Sequence, residues 1–367
     1  RSLVTALLLF AISLSAIFIS AHDEKWSPYY KITRIDTIEM KVPGKDYFSY
    51  KLPGGMFFLN VDEDVFQSVL NLSPKFFEFM GHSAGYSLAD KLVFGLISGS
   101  KKGFDFPYDL IHPTDILVLG AGTGNDIAAA LRYGVRSIDA VDIDPVIVEI
   151  GKNFHPEKPY QSNRVRIHID DARAFVNKST SKYDLIVYGG LDSRRVLSEM
   201  SSVRMENYVY TVESFLESRK LLKEKGMLMV FFWPPRLWVA HRIFFILKET
   251  FGDHVGAFEP VDTYVGTKVF VAAPGLKVHA KEPEGYRNVT DRFLKNKVER
   301  SLIPTDDWPF LYLQSKKIPN EYILVIGTVL LISILFVYLI MKGKIETDLH
   351  FFFLGAGFLL LETKSIT

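Results

Sequence analysis

Two stretches of the chain lack any alternation of polar and apolar positions. Ser2 to Ala21 and Ile323 to Met341 carry no charged residue. About 20 apolar residues at ~1.5 Å rise each cross the hydrocarbon core of a bilayer, so both runs are expected to be transmembrane helices. For the first, a signal peptide is the rival reading, because Ile19-Ser20-Ala21 ends on small residues. Glu321-Tyr322 and Lys342-Gly343-Lys344 flank the second run as interfacial anchors would. A third apolar run opens at Phe351 and stops at Glu362, and the first residue is Arg1. The expectation is a piece of a longer multi-pass protein.

Between the two runs the pattern is that of a water-soluble domain. Ile32, Ile38, Met40 and Val42, then Tyr47 to Leu52 and Met56 to Val61, read as strands. Pro53-Gly54-Gly55 supplies a turn between the last two, which gives a small antiparallel β unit. Ser73-Pro74 opens a helix, with Ser as N-cap and Pro at the first helical position. Gly99 to Gly103 reads as a connector. After it, buried strands and amphipathic helices alternate, which implies a parallel sheet. The strands are Ile116 to Leu119, Ser137 to Val141, Arg164 to Ile169, Tyr183 to Tyr188 and Met227 to Phe232. Helices are expected over Ile127 to Tyr133, Val212 to Lys225 with Gly226 as its stop, and Trp238 to Phe251. Thr263 to Ala273 reads as a strand pair turning at Gly266.

Composition narrows the chemistry. Lys+Arg 43 against Asp+Glu 42 leaves a net charge of +1, which gives no basic surface for nucleic acid. The absence of Cys excludes disulfides, thiolate metal sites and a thiol nucleophile. The nine His form no H-x-x-x-H pair, so no metal is expected. The mean hydropathy of +0.12 is high for a soluble chain and reflects the apolar runs. Lys25, Lys31, Arg34, Lys316 and Lys317 on one side of the runs, against Arg1, Lys342 and Lys344, favour a cytoplasmic face for the central domain.

The first strand of the alternating part runs into Gly120-Ala121-Gly122-Thr123-Gly124, and a helix follows. Glycines here allow a tight turn and close approach of a ligand to the backbone. The second strand ends on Asp142-Ile143-Asp144, and an acidic residue at that place accepts hydrogen bonds from ribose hydroxyls. Dinucleotide sites use G-x-G-x-x-G. The shorter G-x-G-x-G resembles class I S-adenosylmethionine (AdoMet) transferases, whose cofactor has no pyrophosphate. In that fold the loop after the third strand, here Asp170-Asp171-Ala172, holds the adenine. One of these carboxylates is expected to take the adenine amine and the other to cap the next helix.

Pro28 to Ala273 resembles spermidine synthase, an aminopropyltransferase on the AdoMet-transferase fold. The matching residues are Ser27-Pro28-Tyr29-Tyr30-Lys31-Ile32, the Gly120–Gly124 loop, Val141-Asp142-Ile143-Asp144, Asp170-Asp171 and Tyr183-Asp184-Leu185-Ile186-Val187. Ser201 to Tyr210 and Thr305-Asp306-Asp307-Trp308-Pro309-Phe310-Leu311-Tyr312 resemble the membrane-embedded, spermidine synthase-like proteins of bacteria. The resemblance implies an α/β fold: a Rossmann-like class I AdoMet-transferase domain with a small N-terminal β unit, flanked by transmembrane helices. The expected divisions are transmembrane helix 1–22, β unit with connecting helix 23–106, AdoMet-binding domain 107–275, membrane-proximal linker 276–321, transmembrane helix 322–342, and the start of a third helix at 350–367. The expected location is the bacterial inner membrane with the domain on the cytoplasmic side. The bilayer, the rest of the longer protein, a small-molecule acceptor and a second copy as homodimer are the partners this admits.

Departures from the family matter as much. True spermidine synthases carry an Asp where this chain has Thr123, which holds the amine of decarboxylated AdoMet. They carry another at the end of the fourth strand, where this chain has Gly189, and it helps deprotonate the attacking amine. Asp192 matches the second Asp of that motif, but Ser193 replaces its Pro. The following loop balances Asp192, Glu199 and Glu206 with Arg194, Arg195 and Arg204, which makes no anionic pocket for a diamine such as putrescine. The reading is a transferase that takes AdoMet or decarboxylated AdoMet and passes an alkyl group, aminopropyl or methyl, to an acceptor other than putrescine. A methyltransferase on a membrane-borne substrate and a non-catalytic nucleotide-binding domain are the alternatives. Asp192 is the candidate base or acceptor clamp, with Tyr208 and Tyr210 as candidate pocket walls. The cofactor candidates are Gly120, Ala121, Gly122, Thr123, Gly124, Asp142, Ile143, Asp170, Asp171 and Ala172.

Overall fold

A computed structural model describes residues 24–41, 47–61, 64–83, 88–191, 207–234, 236–261, 267–275, 283–296, 298–317 and 320–341, with 355 and 357. The candidate Asp192 and the Arg194, Arg195 and Arg204 loop lie outside them, as do residues 1–22.

The first six strands are β1 (Glu24–Trp26), β2 (Lys31–Ile35), β3 (Thr37–Lys41), β4 (Tyr47–Lys51), β5 (Phe57–Val61) and β6 (Asp64–Val69). Strands β1-β2-β5-β6 form one antiparallel sheet, and β3-β4 form a separate two-stranded ribbon. The turn at Pro53–Gly55 therefore joins two sheets instead of closing a hairpin between β4 and β5. On β5 the alternate residues Phe57, Leu59 and Val61 are buried, the period of a strand with one covered face. Two helices follow, α1 (Pro74–Ser83) and α2 (Leu88–Leu110). The expected connector at 99–103 is interior to α2. Gly103 is used there for close approach, since a Cβ would sit 3.1 Å from the ring of Phe231.

The second sheet has eight strands: β7 (Asp115–Leu119), β8 (Ser137–Asp142), β9 (Val165–Ile169), β10 (Tyr183–Gly189), β11 (Leu222–Phe232), β12 (Val255–Pro260), β13 (Lys268–Ala272) and β14 (Tyr286–Asn288). Their order is β14-β12-β13-β11-β10-β7-β8-β9. The five strands from β9 to β11 run parallel, and β13, β12 and β14 add antiparallel. The connecting helices are α3 (Asn125–Arg132), α4 (Pro145–Phe154), α5 (Ala172–Lys178), α6 (Val212–Lys220), α7 (Leu237–Phe251) and α8 (Thr290–Lys295). This is the Rossmann-like, class I methyltransferase-like α/β fold with a central mixed sheet. Leu117, Leu119, Ile186, Tyr188, Leu228 and Val230 fill one face of it, and Ile116, Val118, Leu185, Val187 and Met229 the other. Both faces are covered, so these strands read as unbroken apolar runs. Ile147 and Ile150 of α4 pack with Ile32, Phe57 and Leu59, which docks the N-terminal sheet beside the second one.

Two boundaries differ from expectation. Helix α6 ends at Lys220, not at Lys225, and β11 begins at Leu222. Tyr183 pairs with Leu222 but Leu185 pairs with Met227, so 223–226 bulge out of the ladder. The bulge places Lys223 on Asp115 at 2.6 Å and on Asp184 at 2.9 Å. The sheet also runs on past residue 275. Strand β14 pairs with β12, and Phe293, Ile303 and Leu311 belong to the core.

The segment 303–313, expected to lie in a membrane-proximal linker, is fastened to the sheet's helices. Val212 N donates to Pro304 O at 3.1 Å. Asp306 accepts from Arg173 at 2.9 Å and from Thr211 Oγ1 at 2.7 Å. Arg242, 2% exposed, donates to the carbonyls of Phe310, Leu311 and Leu313, with Trp238 and Trp308 against its guanidinium.

Residues from Gln314 onward form a separate unit whose main element is α9 (Asn320–Met341). Its described side chains, such as Leu324, Leu331 and Ile334, are exposed. Among the described residues no helix is long and apolar enough to cross a membrane. This corrects the expected localisation as an inner-membrane protein with a cytoplasmic domain. An apolar run in a sequence signals burial of some kind, and does not by itself say that a bilayer provides the cover.

Candidate nucleotide site

Strand β7 has β8 on one side and β10 on the other, so the chain order reverses there. Ligands in open α/β sheets bind at such a switch point, outside the carboxyl ends of the strands. The glycine loop is that end of β7. Gly120, Gly122 and Gly124 have φ of 75°, 53° and 107°, values that strain any residue with a Cβ.

Every N–H of the loop has a protein acceptor. Gly120 N and Ala121 N donate to Val141 O, Gly122 N to Asp142 Oδ2 at 2.7 Å, Thr123 N to Gln67 Oε1 at 3.1 Å, and Gly124 N to Ala121 O. Asp142 Oδ1 accepts from Asp144 N at 2.9 Å. Burial pushes the Asp142 carboxyl up to about 6, against the pull of these two N–H groups. Each of its oxygens keeps a second lone pair for a ribose hydroxyl. Asp144 caps α4 through Val146 N and Ile147 N, and Ile143 between them is half-buried.

The two carboxylates after β9 divide the work as expected in one respect. Asp171 accepts from Ala174 N at 2.8 Å and caps α5. Asp170 accepts from Asp171 N and lies 3.4 Å from Lys178 Nζ, with its side chain partly open to solvent. It caps no helix. Ala172 is buried at the start of α5.

Of the two tyrosines, Tyr208 is partly exposed in the short 3-10 turn Asn207–Val209. Tyr210 is not on a surface. It is fully buried, with its ring against Tyr188 and edge-on to Phe232. Its aromatic bulk fills the core under the strand ends, which is the packing role that a buried ring performs.

Four residues join the site that motif reading did not single out. Gln67 from β6 lies over the loop, and a Cβ on Gly122 would come within 2.8 Å of its amide. Its Oε1 also accepts from Thr123 Oγ1 at 3.0 Å, and Thr123 is fully buried beneath it. Tyr160 donates to Gly122 O at 2.6 Å. Gly151 of α4 lets the loop approach, since a Cβ there would lie 2.4 Å from Thr123 O. Asp126, the second residue of α3, directs Oδ2 at Gly189 on the end of β10. Burial pushes its carboxyl up to about 7. Only Asp126 had a legible signal, an acid two places past the glycine loop. Among the described residues no group of His, Asp and Glu could hold a metal ion.

Residues 100–264 match the spermine/spermidine synthase domain. A crystal structure of a probable spermidine synthase from Corynebacterium glutamicum is similar at a TM-score of 0.49 and 12% identity, over 76% of this chain and 97% of that one. The polyamine aminopropyltransferase of Korarchaeum cryptofilum is 26% identical over 161 residues, 40% of this chain and 47% of that protein. Polyamine aminopropyltransferase 2 of Bacillus cereus is 32% identical over 124 residues, 32% of this chain and 31% of that protein. The chain thus spans about half or less of the length of these relatives. Residues 100–264 are thus similar to the spermine/spermidine synthase domain, and the relatives that the chain matches are transferases.

Proposed function

We propose that this chain binds AdoMet or its decarboxylated form and transfers an alkyl group from the sulfonium to an acceptor other than putrescine. The observation that carries this reading is the pairing of all five loop N–H groups inside the protein. A dinucleotide site needs such groups free for its pyrophosphate. A nucleoside sulfonium carries no phosphate and needs only a close glycine surface, a carboxylate for the ribose and an acceptor for the adenine amine. The loop, Asp142 and Asp170 fit those three needs.

In the transfer, a lone pair on the acceptor forms the new bond to carbon as the C–S bond breaks. The electron pair goes to sulfur, and the sulfonium becomes a neutral thioether. An acceptor that carries a proton gives it to a base, for which Asp192 is our candidate. The acceptor argument rests on Gly189, and Thr123 bears on the donor. Thr123 is buried and bonded to Gln67, so it offers no charge to a cationic tail.

Calorimetric titration with AdoMet and with decarboxylated AdoMet tests the reading. Binding of at least one is expected, with turnover of putrescine at background level. Binding of neither would refute it, and efficient turnover of putrescine would refute the acceptor argument.

A further inference from the structure

The end of β10 faces the glycine loop across the switch point. A Cβ on Gly189 would have as its nearest neighbours Asp126 Oδ2 at 3.0 Å, Gly120 O at 3.1 Å and Leu119 O at 3.5 Å. All three are oxygens that can accept hydrogen bonds, and one belongs to a carboxyl that becomes an anion when it ionises. A glycine face bordered in this way suits a group with several N–H donors and a positive charge, which is what a primary ammonium is.

The direction of the bound nucleoside points the same way. On the reading above, Asp142 at the end of β8 would hold its ribose. Strand β7 lies next to β8, and β10 next to β7. A 5′ substituent leading from the ribose across the glycine loop reaches the end of β10 two strand spacings away, about 10 Å. The group on the far end of that substituent meets Gly189 and Asp126.

Asp126 is also suited to wait for a cation. It sits in the first turn of α3, where the helix dipole favours an anion. Thr123 and Gly189 supply no carboxylate, and Asp142 is held by the loop. Among the described residues, Asp126 is a carboxylate aimed at the strand end.

We propose that Asp126, with the carbonyls of Leu119 and Gly120, seats the tail ammonium of an adenosyl thioether or sulfonium bound at the glycine loop. This rests on the nucleoside reading above and extends it. The amine-holding charge of the site has moved along the chain from position 123 to 126, one helical turn on, and the seat selects donors with a primary amine on the sulfur substituent.

The test compares three neutral thioethers that differ only in the tail. S-Adenosylhomocysteine and S-adenosyl-3-thiopropylamine carry the amine, whereas 5′-methylthioadenosine does not. Each is titrated calorimetrically into the full chain and into Asp126→Asn, a replacement of the same shape. The expected result is a 10- to 100-fold loss of affinity for the two amines, with 5′-methylthioadenosine binding both proteins equally. That last ligand also reports that the variant is folded. An equal loss for all three ligands, or no loss for any, would overturn the seat while leaving the nucleoside reading intact. Failure of the unmodified chain to bind any of the three would overturn both.

Discussion

Asp126→Asn also makes a prediction about stability, independent of any ligand. The folded protein holds this carboxyl at about 7 because burial disfavours the charged form, whereas an ordinary Asp stands at 3.8. A group whose folded value is raised keeps its proton in the native state after the unfolded chain has lost it. Between about pH 4 and 7 the unfolded state therefore binds fewer protons, and the native state loses stability as pH rises. Three pH units at about 1.4 kcal/mol each would give about 4 kcal/mol. Partial access of water to the carboxylate trims this, so about 2–4 kcal/mol is expected. Asn carries no charge at any pH and is spared the penalty. Urea denaturation of both proteins at pH 4.5 and pH 8 measures the difference, and all other titrating groups cancel in the comparison. The variant should gain on the parent by that amount on going to pH 8, and the gain should have levelled off there. A difference between the two proteins that is flat with pH would refute the burial argument, and so would a relative loss for Asn at pH 8.

Gly151→Ala should destabilise the protein by about 1–3 kcal/mol and weaken nucleoside binding, although Ala is by itself the better helix residue. The added Cβ would stand 2.4 Å from Thr123 O and 2.8 Å from the Tyr160 ring, so the glycine loop must shift. A rise in melting temperature would contradict this. Arg242→Met removes the donor that serves three carbonyls of the 310–313 segment. It should cost about 3 kcal/mol and speed amide hydrogen exchange over 303–313 ahead of the sheet. Unchanged exchange there would show that the segment is held by other means.

The parallel part of the fold was legible because its strands are covered on both faces. Residues 116–119, 185–188 and 227–232 are apolar without interruption. The strand partners were less so. Pro53-Gly54-Gly55 has the composition of a hairpin turn, but composition does not state which strands it joins, and here β4 and β5 leave for different sheets. The 223–226 bulge was read as a helix end because Lys and Gly are common there. Ion pairs of Lys223 with Asp115 and Asp184, 108 and 39 residues away, decide the outcome.

The sequence by itself determined the parallel strands and the glycine loop, since these depend on neighbours within a few residues. It also placed Asp142 and Asp171, whose partners lie at most 20 positions away. Only the tertiary structure decided which groups share the site. Gln67 reaches Thr123 from another sheet, Gly151 makes room for the loop from the next helix, and Asp126 meets Gly189 from 63 positions earlier in the chain. Such meetings follow from the order of strands in the sheet, which joins residues by packing and not by spacing. The absence of a carboxylate at 123 and 189 was therefore visible in the sequence, and the approach of Asp126 to Gly189 was not.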